Sequence, residues 1–158
     1  MPKAILLIGM TGQGKSTYLK KLIQQSGRKA IIYDVNNEHG QGKSLPDFNE
    51  FLNRATKVTG HLIAFEEATI FFSSKSSDKQ MRELLIRKRH TNNLIVLLFH
   101  SIRTIPIDIF DFVNYYVLFK TNDREAYLKT KYKESQILDD YMTLKNRPNH
   151  SYIVRKTM

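Results

Sequence analysis

The chain has 158 residues, the length of one ordinary domain, and its 41% hydrophobic and 25% charged residues suit a packed core rather than disorder. It contains no cysteine, which excludes a disulfide scaffold, a thiol nucleophile and a thiolate zinc site. Twenty-five Lys and Arg against 15 Asp and Glu leave a net charge of +10, which favours a polyanionic partner.

Segments of two types alternate along the chain. Lys3–Ile8 (KAILLI) is a short apolar run ending at a glycine and predicts a buried strand. Met1 and Pro2 lead straight into it, unlike a signal peptide. Neither this run nor Leu94–Phe99 approaches the ~18 residues of a membrane span. Lys15–Ser26 carries Leu19, Leu22 and Ile23 at helical spacing and stops at Gly27. Lys29–Val35 predicts a second strand. A helix is expected from Pro46 to about Lys57, with Phe48, Phe51, Leu52 and Ala55 at helical intervals and Asp47 in its first turn.

His61–Phe65 reads as a third strand, closed by Glu66 and Glu67. Asp78–His90 is predicted helical, with Met81, Leu84 and Leu85 on one face and six basic residues between Lys75 and Arg89. Asn93–Phe99 and Phe112–Phe119 supply the fourth and fifth strands. Asp123–Leu144 reads as mostly helical with a break near Lys133–Ser135, and Ser151–Arg155 as a last strand. Strands alternating with helices predict one α/β domain with a mainly parallel sheet covered on both faces. It would span 1–158, with a core to about residue 119 and a basic helical and strand region from about 120.

Gly9-Met10-Thr11-Gly12-Gln13-Gly14-Lys15-Ser16 matches G-x-x-x-x-G-K-[ST], after a strand and opening a helix, as that motif requires. The glycines let successive backbone N–H groups turn inward around phosphates, and the helix adds its N-terminal dipole. Gly9, Thr11, Gly12, Gln13, Gly14, Lys15, Ser16 and Thr17 are therefore the candidate ATP-binding residues. Lys15 is expected on the β- and γ-phosphates and the Ser16 hydroxyl on Mg²⁺. The expected architecture is a P-loop NTPase three-layer sandwich.

Such proteins hold Mg²⁺ with a carboxylate at the end of a second strand. Among the apolar strand candidates, only HLIAF ends in two acids. Glu66 is the metal-side candidate, although aspartate is the usual residue there, and Glu67 is placed to orient or deprotonate water. His100 follows the fourth strand, at the end where α/β sheets bind ligands, and can sense a γ-phosphate. One arginine of Arg87-Lys88-Arg89 can act in trans on a neighbouring subunit's ATP, against the plainer reading of the run as a solvated helix end. His39, His61 and His150 read as surface or locally hydrogen-bonding residues.

The order of P-loop, two acids, Arg-His, apolar strand with a polar sensor, then Ile105-Pro106 and a helix resembles the FtsK–HerA superfamily of P-loop ATPases. RKRHTNNLIVLLFHSIRTIP is similar to the segment of the small poxvirus-type genome-packaging and filamentous-phage assembly ATPases in which Arg-His precedes the fourth strand and a Gln follows it. The resemblance covers roughly Lys3 to Phe119. It implies Arg89 as the arginine finger, His100 in the sensor position, and a strand order of 5-1-4-3-2. It further implies a ring, hexameric or pentameric, that moves single- or double-stranded DNA, with a capsid or portal protein as anchoring partner. A cytoplasmic location follows from the same resemblance, in the host or on the virion for a viral protein.

Charge locates the expected DNA contact. Residues 75–90 and 120–158 each carry a net +4. Lys129, Lys131 and Lys133 interleave with Tyr127 and Tyr132, and Lys145, Arg147, Arg155 and Lys156 follow, as non-specific phosphate contacts require. Tyr127, Leu128 and Tyr132 read mainly as packing residues. Three alternatives stand: a phage assembly or secretion ATPase, a small-molecule kinase with Arg82, Arg87 and Arg89 as a phosphate lid, and a nucleotide-binding module without turnover.

Overall fold

Lys3–Ile8 forms β1, whose six residues are apolar after the first and buried between two layers of side chains. The computed structural model describes residues 3–34, the strand backbone at 44–45, and residues 47–157. The expectations at Val35, His39 and Pro46 lie outside those residues, as do Met1 and Pro2.

The chain continues through α1 (Lys15–Ser26), β2 (Ala30–Tyr33), β3 (Ser44–Leu45) and α2 (Phe48–Ala55) to β4 (Leu62–Phe65). Then come α3 (Ala68–Phe71), α4 (Lys75–Thr91) and β5 (Leu94–Phe99), followed by two short 3₁₀ turns at Ile102–Thr104 and Ile107–Asp111. β6 (Tyr115–Phe119), α5 (Glu125–Lys131), α6 (Gln136–Lys145) and β7 (Tyr152–Lys156) complete it. Side-chain chemistry sets the boundaries. Asp47 Oδ1 accepts the Glu50 N–H at 2.7 Å to start α2, and Ser74 caps α4 by accepting from Ser77. Gly27 (φ 64°) ends α1 and Asn92 (φ 54°) ends α4, both in the left-handed region.

The strands form one seven-stranded sheet in the order β3-β2-β4-β5-β1-β6-β7. The first six run parallel, and β7 pairs antiparallel with β6. The first five strands expected from sequence thus lie in the order 5-1-4-3-2; the expected last strand, β7, extends one edge and the unanticipated β3 the other. Three sequence expectations shift, and one further element is new. The fifth strand begins at Tyr115, because 107–111 winds into a 3₁₀ turn first. The helix expected from Asp78 begins a turn earlier, at its Ser74 cap, and the four-residue α3 was not anticipated. The helix that the resemblance implies after Ile105-Pro106 is the single 3₁₀ turn Ile107–Asp111.

Two cores flank the sheet. Leu19 of α1, with Tyr18, Leu22 and Ile23, packs on one face over Ile5, Leu7, Ile32, Ala64, Val96 and Val117. The other helices pack on the opposite face, where Phe51, Phe65 and Phe71 meet edge to face with centroids 4.7–6.1 Å apart. This is a three-layer α/β sandwich. Ile8 pairs with Phe99 and with Leu118, so the carboxyl ends of β5, β1 and β6 lie level. Open α/β sheets bind their ligands along that edge.

Candidate active site

The loop after β1 is anchored on both sides. Gly9 N–H donates to Phe99 O at 3.0 Å and Met10 N–H to Lys120 O at 2.9 Å, so the loop leaves the sheet wedged between β5 and β6. A Cβ on Gly9 would stand 2.6 Å from Phe119 Cβ, which only glycine avoids. Gly12 (φ 87°) and Gly14 (φ 105°) take left-handed conformations that turn the backbone back over the start of α1. Gly14 brings no capping side chain, so the first N–H groups of α1 remain for an anion. Thr11 and Gly12 are exposed at the tip, Ser16 is half-buried, and Thr17 is exposed on the first turn.

Lys15 is buried and donates from Nζ to the Gly9 carbonyl across its own loop. Burial pushes its pKa down to about 8, while Glu66 and Glu67 pull it back up. Its Nζ also lies 3.3 Å from His100 Nδ1, and His100 Nε2 lies 3.2 Å from Glu67 Oε1. An ammonium only donates, so Nδ1 accepts, and the imidazole proton sits on Nε2 facing the carboxylate. The P-loop lysine, sensor-position histidine and second acid thus form one continuous contact chain.

Glu66 continues β4, its N–H donating to Tyr33 O at 3.1 Å, and its side chain acts electrostatically on Lys15. Glu67 begins the turn into α3. Magnesium prefers hard oxygen donors and keeps bonds to substrate phosphates. The hydroxyl of Ser16 and the carboxylate of Glu66 fit it, the latter lying close enough to raise the Lys15 pKa. Among the described residues, no three His, Asp or Glu side chains gather into a cage of their own.

Arg89 stands apart from this group. It lies in the last turn of α4, whose C-cap Asn92 leads into the amino end of β5. β5 places the length of a six-residue strand, roughly 20 Å, between that edge and the P-loop. Arg87 lies at the same far end, and Arg82 is bound to Asp78 and Asp108. The three arginines do not form a lid over their own P-loop.

Two features of the site escaped the sequence reading: the long-range bond of Gln13, itself expected at the phosphates, and the whole of Asp123. Gln13 is buried, and its Oε1 accepts the backbone N–H of His150 at 3.0 Å, a bond spanning 137 positions. Asp123, buried after β6, accepts the N–H groups of Ile102 at 2.8 Å and Arg103 at 3.1 Å, the turn directly after His100. Tyr141 donates to the Asp123 carbonyl at 2.7 Å, tying α6 to the same point. Asp123 therefore positions the end of β5. Its only sequence signal is an acid shortly after a strand.

The expected DNA-contacting lysines are partly engaged within the chain. Lys129 and Lys145 each lie 3.0 Å from Glu125, and Arg155 lies 2.8 Å from Asp140. Lys131 donates to Arg103 O at 3.3 Å and sits over the Tyr127 and Tyr132 rings. Leu128 and Tyr132 are buried packing residues, whereas Tyr127 is 43% exposed.

Residues 5–121 match the family described as ATPase family associated with various cellular activities (AAA). The fold is similar to that of the genome packaging NTPase B204 from Sulfolobus turreted icosahedral virus 2. Its complex with AMPPCP gives a TM-score of 0.76 at 15% identity, covering 99% of this chain and 93% of that one. Its complex with ATP-gammaS gives 0.77 at 16% identity, covering 98% and 92%. B204 from Sulfolobus turreted icosahedral virus, a DNA-packaging ATPase, gives 0.72 at 14% identity, covering 99% and 93%. A shikimate kinase from Zymomonas mobilis subsp. mobilis is 31% identical over 94 residues, or 55% of this chain. This chain spans 53% of the length of that relative. Among the described residues, no helix is long and apolar enough to cross a membrane.

Proposed function

The chain belongs to the ATPase family associated with various cellular activities (AAA), and from that premise we propose that it couples ATP hydrolysis to the movement of DNA, as a viral genome-packaging motor. ATP hydrolysis by a P-loop enzyme is the activity of the family. The observation that carries the catalytic reading is the Lys15–His100–Glu67 contact chain beside Glu66.

The loop N–H groups and the start of α1 cradle the phosphates of ATP, and Lys15 exchanges the Gly9 carbonyl and His100 for β- and γ-phosphate oxygens. Ser16 and Glu66 would hold magnesium, which would supply neutralisation of the phosphate charge. Glu67 accepts a proton from water while the water oxygen attacks the γ-phosphorus. The bond to the β–γ bridging oxygen breaks, leaving ADP and inorganic phosphate. His100 occupies one Glu67 oxygen through its Nε2–H, which leaves the other for the water. Its Nδ1 is freed when Lys15 turns to the phosphates, so the histidine senses an occupied γ site.

Three features support a DNA motor. The net charge is +10. The fold matches the genome packaging NTPase B204 over 98–99% of this chain. The segment 87–106 is similar to that of FtsK–HerA packaging ATPases. Arg89, at the edge away from its own P-loop, suits a finger reaching a neighbour's ATP, so the working unit is a ring. DNA is held by its phosphates without base readout, and a capsid or portal protein anchors the ring. The protein acts in the cytoplasm or on the virion.

The similarity to shikimate kinase favours a second reading, phosphoryl transfer to a small acceptor. It would need the arginines over the phosphates, whereas Arg82 is held by Asp78 and Asp108 and Arg87 and Arg89 lie at the far edge. ATP turnover measured with and without duplex DNA at two salt concentrations separates the two. The motor reading expects DNA stimulation that weakens as salt rises. Turnover indifferent to DNA, with label appearing on shikimate or another acceptor alcohol, would overturn it.

A further inference from the structure

Lys15, His100, Glu66 and Glu67 gather over the ends of β5 and β4, on one side of β1. β6 and β7 continue the sheet on the other side. A triphosphate with its γ end against those four residues therefore sends its nucleoside toward the end of β6 and the start of β7. Because β7 is antiparallel and its Tyr152 pairs with Phe119, the segment entering β7 stands at this same edge.

That segment, residues 146–151, is held against the P-loop. Ser151 N–H donates to Pro148 O at 3.3 Å, closing a turn around Asn149 and His150. His150 sits at φ 70°, a conformation uncommon outside glycine, and its N–H is fastened to the buried Gln13 side chain at 3.0 Å. Its ring carbon Cδ2 lies 3.9 Å from where a Cβ on Gly14 would stand. Behind it, Tyr152 packs edge-on against Tyr18 with centroids 5.3 Å apart and against Phe119 at 5.3 Å, which fixes the entry to β7. The imidazole itself is exposed, beside the residue that opens α1.

We propose that His150 forms the nucleoside wall of the site, its imidazole face stacking on the purine base of ATP, with Gln13 as the residue that positions it. The proposal rests on the ATP-binding reading of the loop. A loop propped against the P-loop only to brace it would not need its one aromatic side chain turned out to solvent over the start of α1.

The test compares the binding of ATP and inorganic tripolyphosphate, both with Mg²⁺, to the intact chain and to two variants. His150→Ala is expected to weaken ATP about tenfold, the scale of one lost base–aromatic stack, and to leave tripolyphosphate unchanged. His150→Phe should retain ATP binding, since it keeps a stacking face. Equal weakening of both ligands by His150→Ala, or no change in either, overturns the proposal while leaving the ATP-binding reading intact. Failure of the unaltered chain to bind either ligand overturns both.

Discussion

Lys15 rests with its ammonium on the Gly9 carbonyl and the His100 ring, and burial holds its pKa near 8. Triphosphate oxygens replace weak partners with strong ones without further desolvation of the already buried ammonium, which favours phosphate binding there. Glu67, at the other end of the chain of contacts, is the residue to which the proposed mechanism assigns the hydrolytic step. Glu67→Gln preserves its shape and its bond to His100 but cannot accept a proton. Single-turnover kinetics should show hydrolysis slowed at least about 100-fold with ATP affinity unchanged. Hydrolysis at the unaltered rate would remove Glu67 from the mechanism. The P-loop and the paired acids were legible in sequence because each sits in one contiguous run whose spacing encodes its geometry. Gln13 with His150 was not, because a side chain meeting a backbone N–H 137 positions away leaves no local pattern. Asp123 went unread for the same reason, its partners lying 20 and 21 positions earlier.

The element that ties the C-terminal region to the sheet is α6. Its buried Asp140 accepts from Tyr116 Oη on β6 at 2.6 Å and from Arg155 on β7 at 2.8 and 3.2 Å. Burial alone would raise the Asp140 carboxyl, but hydrogen bonds from Arg155, Tyr116 and Gln136 outweigh it and hold it below its ordinary value. A carboxyl lowered in the folded state stabilises above its unfolded pKa of about 4, and that stabilisation disappears as pH falls further. Asp140→Asn should cost about 1–3 kcal/mol at neutral pH. Urea denaturation should also show a shallower loss of stability below pH 4 than in the unaltered chain. Parallel acid profiles would show that Asp140 does not carry the effect. At this scale the sequence was informative about order and poor about edges. Five apolar runs buried on both faces announced a parallel sheet, and the break between α5 and α6 was visible at Lys133–Ser135. The two-residue β3, the four-residue α3 and the 3₁₀ turns before β6 are too short for periodicity to register.

For the whole molecule, the net charge of +10 is more dispersed than its count suggests. Lys129, Lys145 and Arg155 already face carboxylates, although exposed pairs of this kind are weak enough to exchange for the DNA phosphates of the proposed motor. Arg89 lies too far from its own P-loop to act there, so the proposed finger role requires a neighbouring subunit. Arg89→Ala and Glu67→Gln should each be inactive alone. Mixed in equal amounts, they should recover about a quarter of the unaltered turnover, from interfaces that join an intact Glu67 to an intact Arg89. No recovery on mixing would place the finger elsewhere. The most direct measurement of the proposed motor is displacement of a third strand from a triplex on duplex DNA. The unaltered chain should displace it only with ATP, and the Glu67→Gln variant should bind the duplex without displacing the strand. Equal displacement by both, or none by an actively hydrolysing unaltered chain, would contradict translocation.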